Sequence, residues 1–141
     1  MSAAIRMLCR AAAALLIATL SAAAFGQQPS IVGTWQWTSK KSGCSEQYVF
    51  RDNGTVSIKR GDEQTENSFL MSWAPEPSGR YKLTITTLSD NGGRGCDGSA
   101  EDSTGRRSVV YVLFSQSRES MIHCGSPAGT DCTGLMQRTV R

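Results

Sequence analysis

Thiol and imidazole chemistry in this 141-residue chain is confined to five cysteines and a single histidine. Cys9 lies in the N-terminal segment; Cys44, Cys96, Cys124 and Cys132 are spread over the rest. No CxxC or HxxxH occurs and there is no second imidazole to complete a zinc shell, so no metal site is assigned. His123 stands beside Cys124, which suggests a Cys–His nucleophile pair. Neighbouring residues of a strand point to opposite faces, however, and that separates the two side chains. A Ser–His–Asp site would also depend on His123, and no strand–turn–helix nucleophile elbow is present. His123 is therefore read as a rim or surface histidine. Asp90, Asp97, Glu101 and Asp102 crowd one glycine-rich stretch and offer oxygen ligands to calcium. Their spacing does not match an EF-hand loop, and Asp and Gly are ordinary turn residues. The reading assigns no catalytic residue and no cofactor, and expects a protein that is not an enzyme.

The segment before these residues says where the chain works. Met1 to Arg10 carries Arg6 and Arg10 and no acid; an apolar stretch follows to about Leu20, then small residues ending in Ala24-Phe25-Gly26. This pattern predicts a signal peptide over 1–26, cut before Gln27. The alternative, a retained anchor, is too short: Ala11–Phe25 includes Thr19 and Ser21, whereas a span needs about 20 apolar residues. Cleavage removes Cys9, and the even count that remains predicts two disulfides in a periplasmic or secreted protein with no membrane span. Thirteen Lys and Arg against twelve Asp and Glu then leave a net charge of +1. Charges of both signs alternate, with no basic stripe to follow a phosphate backbone, so nucleic acid is excluded as a partner.

Beyond a short linker at 27–30, the pattern has period two and predicts one all-β domain over 31–141. Trp35 and Trp37 alternate with polar neighbours, as do Tyr48 and Phe50, Val56 and Ile58, and Tyr81, Leu83 and Ile85. Phe69, Met71 and Trp73 share one face; runs at 109–114, 120–124 and 134–140 complete eight strands. Asp52-Asn53-Gly54 is a hairpin signal, because Asn and Gly tolerate positive φ. Asn53-Gly54-Thr55 also fits a glycosylation sequon, but the turn explains it. Further turns fall at 61–64, 75–79 and 117–119, with longer connections at 39–45 and 89–106, the latter expected to be mobile. Hairpin-short links favour an antiparallel up-and-down barrel of eight strands over a Greek-key sandwich. In such a meander the 39–45, 61–64, 89–106 and 125–131 connections gather at one end, which would hold every cysteine of the domain.

Gly33-Thr34-Trp35 opening such a meander resembles the Gly-x-Trp start of lipocalins and their calycin relatives. The resemblance covers residues 31–140 and implies that Trp35 packs at the closed end of the barrel, under an Arg from the last strand; Arg138 is the matching residue. This chain is shorter than a lipocalin and lacks its C-terminal helix. The segment Cys44-Ser45-Glu46-Gln47-Tyr48-Val49-Phe50, with Asp90-Asn91-Gly92 and Cys96-Asp97-Gly98, is also similar to small uncharacterised exported bacterial proteins, a resemblance that implies no activity.

Four cysteines allow three connectivities. The preferred pairs are Cys124–Cys132, which closes one hairpin, and Cys44–Cys96, which links two long loops at one end. On the inward parity Trp37, Tyr48, Ile58, Phe69 and Ile85 lie toward that end, with Trp35, Phe50, Trp73 and Tyr81 nearer the other. The inward faces so assigned carry no charge. Eight strands enclose room for a packed core or for one small ligand. The expected function is a binding module for a small apolar or amphipathic ligand held by those first five residues. The alternative is a protein–protein module, such as a hydrolase inhibitor or envelope interaction protein, presenting Arg94 and Asp97 on the 89–106 loop.

Overall fold

The computed structural model describes residues 28–140; the signal peptide expected over 1–26 lies outside the described residues. Eight strands follow one another: β1 (Gly33–Thr38), β2 (Ser45–Phe50), β3 (Thr55–Arg60), β4 (Glu63–Met71), β5 (Tyr81–Asp90), β6 (Arg107–Phe114), β7 (Ser120–Cys124) and β8 (Met136–Val140). Each pairs antiparallel with the next, and β8 returns to β1, closing an up-and-down barrel. The expected fold class holds. Closure leaves no sheet edge running the length of a strand to recruit other chains.

Local chemistry sets the hairpins. Between β2 and β3, Gly54 takes φ +79° and Asn53 Oδ1 accepts the Thr55 N–H at 3.1 Å. The turn expected at 61–64 is shorter, because Glu63 and Gln64 already pair with Arg60 and Lys59; only Gly61 and Asp62 connect the strands. That difference adds Glu63 to the barrel wall.

Because the sheet is a meander, the connections 39–44, 61–62, 91–106 and 125–135 lie at one end, called the upper end here. Both disulfides sit there with the preferred pairing, Cys44–Cys96 and Cys124–Cys132. Two disulfides accord with an oxidising, extracytoplasmic compartment. The 91–106 loop is tied down. Asn91 Oδ1 accepts the Gln64 N–H (2.9 Å), its Nδ2 donates to Asp62 O (3.0 Å), and Arg94 O accepts from Asp62 N (3.0 Å) and Glu63 N (3.2 Å). A Cβ on Gly93 would come within 2.2 Å of Asp62 O, so the loop lies on the β3–β4 turn only because that residue is glycine.

The lower half is a packed apolar core of Trp35, Phe50, Val56, Leu83, Val112, Met121 and Met136, all almost wholly buried. Trp35 Nε1 donates to Ile31 O at 2.8 Å, and the Arg138 guanidinium lies 4.1 Å from the centre of its ring. Arg138 also donates to Val32 O (2.6 Å), Ser30 O (2.9 Å) and Arg118 O (3.2 Å), which caps the lower end. Trp73 does not join this core. β4 ends at Met71, Ser72 begins the turn by donating Oγ–H to Ala74 O, and Trp73 leaves the ladder with 83 % of its surface exposed. Its expected inward position is corrected: alternation stops where the ladder stops.

Candidate functional site

The five residues expected to line an apolar pocket share the barrel interior, where they pack in or against its core. Tyr48, Ile58 and Ile85 are buried in the core cluster, and Phe69 and Trp37 pack against it. Phe50 meets the Phe69 ring edge-on at 5.0 Å and stacks near Tyr48 at 6.1 Å. The Trp37 indole lies on the backbone of Gly134, where a Cβ would fall 1.5 Å from its Nε1.

Above this core the inward face turns polar, which overturns the expectation of an uncharged interior. The alternation that buries Tyr48 and Phe50 also turns Glu46 inward; that of Val56 and Ile58 turns Arg60 inward; that of Thr65 and Asn67 turns Glu63 inward. The three are register partners, Glu46↔Arg60 and Arg60↔Glu63, so they form one cross-strand row of acid, base and acid. Arg60 Nε makes a 3.8 Å ion pair with Glu63 Oε2, and that buried nitrogen has no hydrogen bond.

The 91–106 loop roofs the row. Together they enclose a cleft of about 250 Å³, to which the loop contributes Asp97, Glu101 and Arg106. Gly95 brings the carboxylates together: a Cβ there would be 3.2 Å from both Glu63 Oε2 and Asp97 Oδ1. Asp97 Oδ1 accepts from Ser99 N and Oγ (2.9 and 2.8 Å), and these bonds hold its acid below the usual range. Arg94 Nη1 donates to Gly98 O at 2.5 Å. The two residues expected to meet a partner are thus both engaged in shaping the loop. Asp90 is held low as well, by hydrogen bonds from Ser103 first and then Gly92.

Tyr48 joins cleft to core. Its hydroxyl donates to Glu46 Oε2 at 3.0 Å, while its ring meets His123 edge-on at 5.5 Å. Burial, then the Glu46 carboxylate, pushes the phenol well above its ordinary range, so it stays a donor. His123 is buried, not at the rim: it points inward from β7 while Cys124 points out to Cys132. Its Nε2 has no hydrogen-bond partner, and burial, helped by Arg60, lowers its pKa to about 4. The imidazole is neutral and acts as a core side chain. Among the described residues no group of three or more His, Cys, Asp or Glu is placed to hold a metal ion.

Sequence reasoning missed Glu46, Arg60 and Glu63. Their signal was the same period-two alternation, extended one step past the last apolar residue of each strand. The fold and cleft define a class: a closed eight-stranded up-and-down barrel with a filled lower half and a polar, loop-roofed upper cleft. No family model, curated protein or solved structure matches the chain.

Proposed function

We propose that this chain is an exported, non-enzymatic binding module whose site is the upper polar cleft, and that its ligand is small and zwitterionic, such as a dipeptide with free termini. The observation that carries this reading is the placement of Arg60 between Glu46 and Glu63 on the inner wall beneath a tethered roof. A ligand carboxylate would find the Arg60 and Arg106 guanidinia, and a ligand ammonium would find Glu63 and Asp97. Charge-assisted hydrogen bonds of this kind are the strong ones, and a cleft shaped in advance spares the ligand the cost of ordering it. An apolar ligand would take water from those charges and offer them no hydrogen bonds in return, which is costly.

Calorimetric titration of the oxidised protein with alanyl-alanine, lysyl-alanine and their acetylated, amidated forms tests the reading. Free dipeptides should bind, capped ones should not, and Arg60→Met should weaken binding about tenfold through loss of a charge-assisted pair. Equal behaviour of free and capped peptides would reject it. One observation favours a protein partner instead: the exposed stretch 97–102 is anchored at Cys96 and shaped by the Asp97–Ser99 bonds, and a loop shaped in advance docks at lower entropic cost. On that reading the parent protein would bind no dipeptide, and Arg94→Ala and Asp97→Ala would lower its affinity for the protein partner.

A further inference from the structure

We infer that the outer seam between β1 and β8 is a docking site for an extended acidic peptide segment, separate from the upper cleft. The barrel wall is incomplete there. β1 runs to Thr38, but its last partner on β8 is Gln36↔Gln137, and β8 begins only at Met136. Ser39 N–H donates to Cys44 O on the β2 side; antiparallel alternation then directs Trp37 toward β2 and Thr38 toward the open side. Gly134 and Leu135, which would continue β8 upward, make no backbone–backbone hydrogen bond. The backbone groups of Thr38 on that side, and those of Gly134 and Leu135, are therefore left without a backbone partner.

The side chains around this gap suit one kind of occupant. It opens into a groove of about 820 Å³, with Trp37 and Leu135 as its apolar surface and Lys40 and Lys41 on its rim. Leu135 keeps 53 % of its surface exposed. No Asp or Glu lines the groove, and neither lysine pairs with an acid among the described residues. Backbone groups open to pairing, an apolar pocket for an alternate side chain and two uncompensated cations are the parts of strand addition by a peptide. The charge selects an acidic one. A membrane surface fits less well, because basic membrane-binding segments carry about four to eight Lys or Arg and the surface here is concave.

The test uses the full oxidised domain carrying Trp73→Phe, so that Trp37 is the solvent-reachable indole. The probes are two hexapeptides, acetyl-EVEVEL-amide and acetyl-KVKVKL-amide, followed by tryptophan fluorescence and by amide exchange at Thr38. The acidic peptide should bind saturably, slow exchange at Thr38 and bind at least about tenfold more tightly than the basic one. The pair Lys40→Glu and Lys41→Glu, both in an exposed turn, should weaken it about tenfold, as should Leu135→Asp alone. Arg60→Met, in the other cleft, should change nothing. Equal binding of both peptides, indifference to the lysine variants, or dependence on Arg60 would overturn the inference. So would self-association through the groove in sedimentation, or uptake of octyl sulfate that excludes the acidic peptide without any protection at Thr38.

Discussion

His123 is a titratable group without a hydrogen-bond partner at Nε2, set among core side chains, and the consequence is a pH dependence with a definite sign. Its pKa falls from an ordinary 6.5 to about 4 in the folded state. Between those values the unfolded chain binds more protons, so stability falls as pH drops from about 6.5 to about 4, by about 3 kcal/mol. Urea midpoints measured across this window should show that slope, and His123→Leu should flatten it. Below it a second loss follows from the carboxyls of Asp90, Asp97 and Asp102, whose depressed pKa values contribute stability present above about 3.8 and lost as pH falls through the folded values. Arg138→Leu should remove the stack on Trp35 and three hydrogen bonds, lower stability by about 2 kcal/mol and shift Trp35 emission to the red. Trp35 and Arg138 were legible because a short motif carries them. Burial of His123 was not, since a period-two pattern gives its face but not how far the surrounding strands and loops cover it.

Strand existence was legible throughout, because each strand alternates and each turn carries its own chemistry. Strand ends were not. Trp73 keeps the parity of β4 yet lies past its last pair, while Glu63, which looks like a turn residue, is the first rung. Those two misplacements removed one aromatic from the interior and hid a carboxylate of the cleft. The same limit applies to the 91–106 loop: its glycines suggest freedom, whereas Gly93 and Gly95 serve close approach. Gly93→Ala should lift the loop from the β3–β4 turn and weaken dipeptide binding, with a much smaller change in the denaturation midpoint. The disulfides differ in reach. Cys124–Cys132 spans 8 residues and Cys44–Cys96 spans 52, so loop entropy gives about 2.5 and 4 kcal/mol respectively. Paired Cys→Ala variants measured by calorimetry should keep that order, and only loss of Cys44–Cys96 should also weaken the cleft, since Cys96 is part of its lining.

At the scale of the molecule, closure divides the barrel into two halves of different polarity. The lower half is sealed by Trp35 and Arg138 and holds the core; the upper half bears the cysteines, the inward charges and the roof. Up-and-down order was readable from short connections, and with it the gathering of every cysteine of the domain at one end. The polarity of that end could not be read from composition, because charges are spread evenly along the chain and converge only when the sheet closes. The most direct test of the central claim is a 1H–15N correlation spectrum of the oxidised domain, recorded as alanyl-alanine is added. The account predicts saturable shifts at Glu46, Arg60, Glu63 and Asp97, with Leu83, Val112 and Met121 unmoved. Shifts centred on Tyr48, Phe69 and Ile85 without the charged row, or none at all, would contradict it.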